Sequence, residues 1–400
     1  MVRPVARYVL SYYFRNIDIT GLEHIPRDKA VILAANHPTA FLEPCLLACF
    51  QERPLHFLAR GDLFVNELAS RVLRALNILP VYRIQDGGYE KLSRNYATFE
   101  DCYRVLRQRR ALMILAEGRC IHEKRLRPLR KGTARIALGA LGEMDFPSDV
   151  YIVPVGVNFV AADRFRTSVA IHCSPPLYAS NYRGAYAENP ARAIHTLTDE
   201  LRECLSEIVV QFPDPATDAD YEAALAVTRH TIGESLRGVT HSGAPLEIAY
   251  QTAKRFGAHN RSIPEFVAAL DERGITVEQL VAARRGLEFP VLSLPALFVV
   301  VPQLPLWVVS EFIARAGTAT IEFYSSVRFA AVAVGTLLYL PLFFLLSWPL
   351  RLYLLMSVVL TPWALRRIDE LRLWWGARRA RALGEGAYDE LIRLKDELVQ

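Results

Sequence analysis

The stretch VILAANHPTAFLEP, residues 31–44, begins as an apolar run and stops abruptly at His37. A short apolar run is typical of a strand that is buried on both faces of a parallel sheet. Pro38 follows the histidine, and the carboxylate of Glu43 lies six positions beyond it. We expect a helix to begin near Thr39, with Pro38 in its opening turn, so that Glu43 can reach back to His37.

Further short apolar runs follow at similar intervals, with helical patterns between several of them. The strand-like runs are 55–59, 78–82, 111–116 and 151–157, and the helical patterns lie around 66–75, 90–109 and 133–142. Alternation of this kind predicts an α/β fold with a largely parallel sheet flanked by helices. We assign this domain to residues 17–188.

The composition excludes some classes of protein. The chain has 400 residues, enough for two or three domains, and 52% of them are hydrophobic. The net charge of +5 gives no global field typical of a nucleic-acid-binding protein, so we predict no nucleic-acid partner. The six cysteines form no CxxC pair, which favours a reduced domain that faces the cytosol.

Two segments outside the α/β domain have helical patterns. The apolar run 8–14 is too short for a signal peptide, and its aromatic and arginine-rich surroundings predict an interfacial helix at residues 1–16. The alternative is an ordinary first helix packed on the domain. Residues 189–288 form a polar helical region without the spacing of a catalytic constellation, and we interpret it as a structural or regulatory insertion.

The last quarter of the chain is apolar. Residues 289–310 and 329–350 each contain 22 residues without a charged side chain, enough to span a membrane. We therefore predict a C-terminal transmembrane hairpin within 289–365. Its first segment is kinked or re-entrant because it contains four prolines, and 352–365 is too short to be a further span. The alternative is a soluble protein with an apolar helical core.

Charges that flank the hairpin predict its orientation. Residues 366–381 contain six arginines and two acids, whereas the connector 311–328 contains two of each. The positive-inside rule then places a basic helical tail, 366–400, in the cytoplasm. Two spans return the chain to its starting side, so we predict an integral membrane protein whose catalytic domain faces the cytoplasm.

Polar residues follow three of the predicted strands at the points where they end. His37, Arg83 and Glu117 occupy these positions, and ligands bind at this edge of open α/β sheets. A histidine can accept a proton from an attacking hydroxyl, and a carboxylate can orient it. We therefore predict His37 as the general base and Glu43 as its partner. The alternative is a capping or core histidine beside a solvated acid.

A basic segment follows Glu117. Its seven basic residues are Arg119, Lys124, Arg125, Arg127, Arg130, Lys131 and Arg135. Gly118 and Gly132 permit close backbone approach, and the helix that starts near Gly132 has free N–H groups that favour anions. The segment predicts a phosphate-bearing acceptor or a thioester donor, unless it is a solvated or membrane-facing edge. We interpret Cys120 as a structural thiol.

These residues resemble the motifs of the glycerolipid acyltransferase superfamily, also called the PlsC or lysophosphatidate acyltransferase family. Asn36-His37 matches the first motif, in the subset with five residues between the histidine and the acid, with Glu43 where aspartate is usual. The later motifs match Arg83, then Glu117-Gly118 with LRPLRKG (126–132), then Pro154. Arg119-Cys120 departs from the family, in which a small hydroxyl-bearing residue is more usual.

The resemblance implies transfer of an acyl group from acyl-CoA or acyl carrier protein, as co-substrate, to a hydroxyl of glycerol 3-phosphate or 1-acylglycerol 3-phosphate. It implies no cofactor and no metal, and a membrane lipid as partner. The acceptor would be bound by Asn36, Arg83, Glu117, Gly118, Arg119, Arg127, Lys131 and Gly132. The alternatives are another acceptor such as dihydroxyacetone phosphate, a hydrolase in which His37 activates water, and a catalytically silent lipid-binding protein.

Overall fold

The computed structural model describes residues 2–82, 95–142, 149–212, 218–231, 238–245, 247–248, 252 and 262–397. The chain forms two compact units. The first unit comprises Met1–Arg7, Ile19–Ala162 and Val169–Gln211. The second comprises Tyr8–Asp18, Asp163–Ser168 and Phe212–Gln400.

A mostly parallel sheet forms the centre of the first unit. Within the first unit its strands run in the order β4-β3-β5-β2-β6-β7, and β8 pairs with β6, whereas β1 is divided between the two units, with residues 16–18 in the second. β7 and β8 are antiparallel to β6, whereas the pairs among β2 to β6 are parallel. The strands are β1 (Asn16–Thr20), β2 (Ala30–Ala35), β3 (Leu55–Arg60), β4 (Ile78–Val81), β5 (Ala111–Leu115), β6 (Val150–Phe159), β7 (Ser168–Cys173) and β8 (Leu177–Tyr178).

The predicted apolar strands are confirmed. β2 lies between β5 and β6, and all six of its residues are buried, which explains its uninterrupted apolar sequence. Ala35 is paired in register with Leu115 of β5 and with Val155 of β6. β2 and β5 therefore end at the same level of the sheet, and the segments that follow them begin side by side.

Helices flank this sheet, as predicted. They are α2 (Leu42–Phe50), α3 (Glu67–Ala75), α4 (Asn95–Arg107), α5 (Gly132–Gly142), α6 (Arg183–Glu188) and α7 (Pro190–Ile208). The main chain of α7 lies so close to β6 that a Cβ atom on Gly156 would be 2.3 Å from the carbonyl oxygen of Ile208. α7 consequently belongs to the first compact unit, although the predicted domain boundary places it in the helical region.

The second unit contains a group of helices with its own apolar core. Phe266, Leu270 and Leu280 are among the core side chains, and each is at most 2% exposed. The helices are α8 (Asp218–Thr231), α9 (Ser262–Glu272) and α10 (Val277–Arg285). A short strand, β9 (Gly238–Thr240), pairs in parallel with the start of β1.

Among the residues that the structure describes, three helical segments of the second unit are long and apolar enough to cross a membrane. The first is Ser293–Gly317, which consists of α11 (Ser293–Val300), a 3-10 turn at Val301–Gln303 and α12 (Leu304–Gly317). The others are α13 (Ile321–Leu345) and α14 (Trp348–Arg381), and α15 (Glu385–Glu397) follows them. The 3-10 turn contains Pro302, in agreement with the predicted kink.

The sequence predicts a two-span hairpin within 289–365, and the described part of the chain has three helical segments of sufficient length and apolar composition that begin there. The predicted span 329–350 is divided, because α13 ends at Leu345 and α14 begins at Trp348. Arg351 ended the uncharged run in the sequence, but its guanidinium donates to the carbonyl oxygens of Phe344 and Leu346, both at 2.7 Å. This arginine thus caps α13 and does not end an apolar helix.

Helix α1 (Val2–Tyr13) lies within the segment 1–16 that is predicted to be an interfacial helix. Val9 and Leu10 have no exposed surface. The Tyr8 hydroxyl donates to the carbonyl oxygen of Val358 in α14, and the Tyr13 hydroxyl donates to that of Ser325 in α13. Protein thus covers Val9 and Leu10, which fits the alternative of a packed first helix, and the interfacial position stays a prediction.

Candidate active site

Asn36 directly follows β2, and its side chain continues the pairing of β2 with β6. Its Nδ2 atom donates to the carbonyl oxygen of Val157 at 3.0 Å, and its Oδ1 atom accepts from the Val157 N–H at 2.7 Å. Asn36 is only 5% exposed. Its side-chain amide takes the place of a backbone N–H and a backbone carbonyl at the end of the strand. These two hydrogen bonds fix the position of Asn36, and therefore the start of the segment that contains His37. Its predicted contact with substrate stays a prediction.

The segment between His37 and α2 is a turn. The predicted helix start near Thr39 is wrong, since α2 begins at Leu42. The Thr39 hydroxyl oxygen accepts the N–H of Leu42 at 3.2 Å, one of the N–H groups that a helix leaves unpaired at its start. A local hydrogen bond of this kind favours a turn over a further helical residue at Thr39.

Glu43 lies in the first turn of α2 and points back toward His37. Its Oε1 atom is 3.6 Å from His37 Nδ1, and the Glu43 side chain has no exposed surface. Thr39 binds both carboxylate oxygens, with its N–H donating to Oε1 at 2.6 Å and its hydroxyl donating to Oε2 at 2.7 Å. The carboxylate is held against one nitrogen of the His37 ring, which leaves the other nitrogen to exchange a proton.

The turn after β5 brings Glu117 to the same edge of the sheet. Gly118 has a φ of 75°, a left-handed conformation that favours glycine, and its N–H donates to the Leu115 carbonyl at 3.1 Å. A Cβ atom on Gly118 would lie 2.8 Å from Cγ of Arg130. The Glu-Gly pair is therefore a tight turn whose shape requires the glycine, and it leaves Glu117 4% exposed.

Arg127 is the basic neighbour of Glu117. Its guanidinium is paired with the Glu117 carboxylate and also donates to the carbonyl oxygens of Arg119 at 2.6 Å and His37 at 3.2 Å. Burial raises the pKa of Glu117, and the charge of Arg127 and a hydrogen bond from the His37 N–H lower it only in part. The structure thus brings together His37, Glu43, Glu117 and Arg127.

The other predicted binding residues differ in their surroundings. Arg119, Gly118 and Lys131 are exposed, and Gly132 begins α5. Lys124 donates to the carbonyl oxygen of Val160 at 2.9 Å, so this member of the basic segment has a structural partner. Arg83 lies outside the described residues. The roles of these residues in substrate binding stay predictions.

Two further sequence interpretations concern Pro154 and Cys120. Pro154 lies within β6, paired in register with Ala34, and its carbonyl accepts the Ser174 N–H at 3.0 Å. Cys120 is half-buried. Across the ranges that the structure describes, no three His, Cys, Asp or Glu residues are grouped as metal ligands. The expected absence of a metal and of a cofactor stays a prediction.

Sequence reasoning missed Thr39, which binds both oxygens of the predicted orienting carboxylate. A signal was present, because a threonine shortly before a helix is a common capping residue. The interpretation of Pro38 as part of the helix obscured it. The sequence held no comparable signal for Val157, because its contribution is the peptide group and not the side chain.

Part of the chain is similar to known acyltransferases. Residues 16–158 match the model of the Acyltransferase family. Glycerol-3-phosphate O-acyltransferase 2 of Saccharomyces cerevisiae is 25% identical over 131 residues, which make up 32% of this chain and 18% of the yeast protein. The chain thus spans less than a fifth of the length of this relative.

A solved structure is also similar to part of the chain. It is the crystal structure of PlsC, the 1-acyl-sn-glycerophosphate acyltransferase of Thermotoga maritima, at 15% identity and a TM-score of 0.37. The match covers 53% of this chain and 81% of PlsC. The likeness is too distant to bear on the arrangement of the site.

Proposed function

We propose that this chain is a membrane-associated O-acyltransferase of phospholipid biosynthesis, and the match of residues 16–158 to the Acyltransferase family model supports this proposal. It moves a fatty acyl group from acyl-CoA or acyl carrier protein to a hydroxyl of glycerol 3-phosphate or 1-acylglycerol 3-phosphate. One observation carries the proposal: Glu43, fully buried, lies 3.6 Å from Nδ1 of His37.

The proposed reaction needs a base and a thiol leaving group. His37 takes the proton of the acceptor hydroxyl on its second ring nitrogen, and the hydroxyl oxygen attacks the thioester carbonyl carbon. The carbon–sulfur bond then breaks, and the imidazolium returns the proton to the departing thiolate. Glu43 stabilises the imidazolium while it exists and keeps the ring oriented. The distance of 3.6 Å would shorten in the substrate complex, because catalytic hydrogen bonds are often long without substrate.

Basic side chains and a helix start support a phosphate-bearing substrate. Lys131 precedes α5, whose first N–H groups have no intrahelical partner and whose dipole favours an anion. Arg119 and Lys131 are exposed and can approach phosphate from solvent. We assign them, together with Arg83 and Gly132, to the acceptor phosphate or to the phosphates of the donor.

The apolar helices support membrane association, which suits a lipid product. Three helices qualify by length and composition, so the argument that a hairpin returns the chain to its starting side no longer applies. The six arginines between 366 and 381 still favour a cytoplasmic end of α14. The cytoplasmic position of the catalytic domain is part of the proposal.

One observation favours a second candidate, a catalytically silent lipid-binding protein. Both oxygens of Glu43 already accept hydrogen bonds from Thr39, and the distance to His37 is longer than a hydrogen bond. In this interpretation the Glu43 carboxylate stabilises the turn at Thr39 and does not orient His37.

An acceptor panel separates these candidates. Full-length protein in detergent micelles is given one labelled acyl thioester with glycerol 3-phosphate, its 1-acyl form or dihydroxyacetone phosphate, and thiol release and acylated product are measured together. Acceptor-dependent thiol release with matching product supports the transferase. Thiol release that is independent of acceptor indicates a hydrolase, and an absence of release with every acceptor would support the silent protein.

A further inference from the structure

The carbonyl oxygen of His37 is held by one member of a buried ion pair. It accepts from Nη2 of Arg127 at 3.2 Å. Nη2 of Arg127 also pairs with Oε2 of Glu117, so the carboxylate holds the guanidinium that contacts His37. The N–H of Ile121 donates to the same His37 carbonyl at 3.3 Å.

The Glu117 carboxylate and the Arg127 guanidinium face the protein and not the solvent. The Glu117 side chain is 2% exposed and that of Arg127 is 15% exposed. Nη2 of Arg127 lies within hydrogen-bond distance of three acceptors, and its Nε atom is 3.6 Å from Oε1 of Glu123. An acceptor molecule would have to displace one of these partners to bind either group.

A buried ion pair is a poor source of stability, because removing two charges from water costs about as much as their attraction returns. Such a pair is better explained by what it orients. Here the oriented group is the carbonyl of the predicted base, which the guanidinium contacts while the Glu117 carboxylate holds the guanidinium.

We infer that Glu117 and Arg127 are positioning residues that clamp the main chain of His37, and that they do not bind the acceptor. The inference rests on the proposed function, in which His37 is the base. It revises the sequence-based assignment of both residues to substrate binding. Fixing the His37 carbonyl limits the positions from which the imidazole can meet Glu43 and the acceptor hydroxyl.

Steady-state kinetics separate positioning from binding. In Glu117→Gln and Arg127→Lys, kcat should fall by ~10- to 100-fold, the size of loss that a misplacement of about 1 Å causes. The KM for the acceptor should stay near that of the unmodified protein. Glu123→Gln is the matched control, since Glu123 also contacts Arg127 but not His37, and its kcat should be unchanged. A raised acceptor KM with unchanged kcat would overturn the inference and restore the binding role.

A second measurement does not depend on activity. Full-length protein in detergent is treated with diethyl pyrocarbonate, and modification of each histidine is followed by peptide mass spectrometry. Arg127→Met should raise the modification rate of His37 several-fold and leave that of exposed His195 unchanged. An unchanged His37 rate would contradict the clamp. If Arg127→Met does not fold, the modification rate of His37 in Arg127→Lys is used instead. This measurement tests the position of His37 even if the unmodified protein transfers no acyl group.

Discussion

Asn36 and Val157 are joined by two hydrogen bonds, of 3.0 and 2.7 Å, that attach the residue before His37 to the neighbouring strand. The asparagine side chain supplies one donor and one acceptor, the same pair of groups as a peptide unit. The position of the predicted base along the sheet edge therefore depends on the side-chain amide of Asn36.

Substitution of Asn36 tests this attachment. Asn36→Leu leaves the N–H and the carbonyl of Val157 buried without partners, at a cost of about 1–3 kcal/mol for each group. We expect a clearly lower midpoint of denaturant unfolding in detergent. The control is Asn66→Leu, which removes an exposed helix cap from α3 and should cost about 1 kcal/mol. Equal midpoints for the two variants would show that the Asn36 amide contributes no more to stability than an exposed helix cap.

Thr39 offers a test of how Glu43 is held. Thr39→Val removes the hydroxyl that donates to Oε2 and accepts from Leu42, while Thr39→Ser keeps it. We expect kcat to fall by ~10-fold in Thr39→Val, since a hydrogen bond to a charged group contributes about 1.5–3 kcal/mol. Thr39→Ser should retain most of the rate. A valine variant as active as the serine variant would make this hydroxyl irrelevant to catalysis.

Asp18 gives a prediction about pH. Burial raises the pKa of Asp18, but hydrogen bonds from Thr240, Ser242 and Gly243 lower it more, so the pKa lies below its ordinary value of 3.8. Its stabilising effect is then complete above the pKa of the unfolded chain and is lost as the pH falls through the lower pKa of the folded chain.

The measurement is the melting temperature of full-length protein in detergent between neutral and acidic pH. We expect Asp18→Asn to melt lower at neutral pH, because the amide cannot accept all of these hydrogen bonds. The difference between the two proteins should shrink as the pH falls below about 4, where the free carboxyl group is protonated. A difference that stays constant across this range would contradict the assignment.

The buried cysteines should be unreactive. Burial raises the pKa of both Cys102 and Cys173 to about 12, and each side chain is fully buried. The thiolate is the reactive form, so iodoacetamide at pH 8 should leave both thiols unmodified until the protein is unfolded. Peptide mass spectrometry reads the result directly. Rapid native labelling of either cysteine would show that the first unit opens more readily than its packing implies.

The fold was predictable where a strand is buried on both faces of the sheet, because such a strand has a continuous apolar sequence. β2, β5 and β6 are of this kind, and their neighbours in the sheet follow from the alternation with helices. β1 and β7 were missed because NIDIT and SVAIHC mix polar and apolar residues at the side of the sheet away from β2. Their pairing depends on partners far along the chain.

The membrane helices and the site were predictable only in part. The uncharged run in the sequence ends at Arg351. The side chain of this arginine binds the carbonyl oxygens at the end of α13, and the apolar helix α14, to which Arg351 belongs, continues beyond it. The pairing of His37 with Glu43 followed from their spacing. The use of Asn36 and Arg127 as internal supports did not, because both roles are hydrogen bonds to main-chain atoms remote in sequence.

The central claim is that His37 is the base, and a single-turnover assay tests it most directly. Full-length His37→Ala is compared with His195→Ala, which removes a surface histidine 2.5 Å from Asp199. With one labelled thioester and the best acceptor, His37→Ala should transfer at least ~10²-fold more slowly, the usual contribution of a general base. His195→Ala should keep the full rate. Equal rates for both variants would contradict the account.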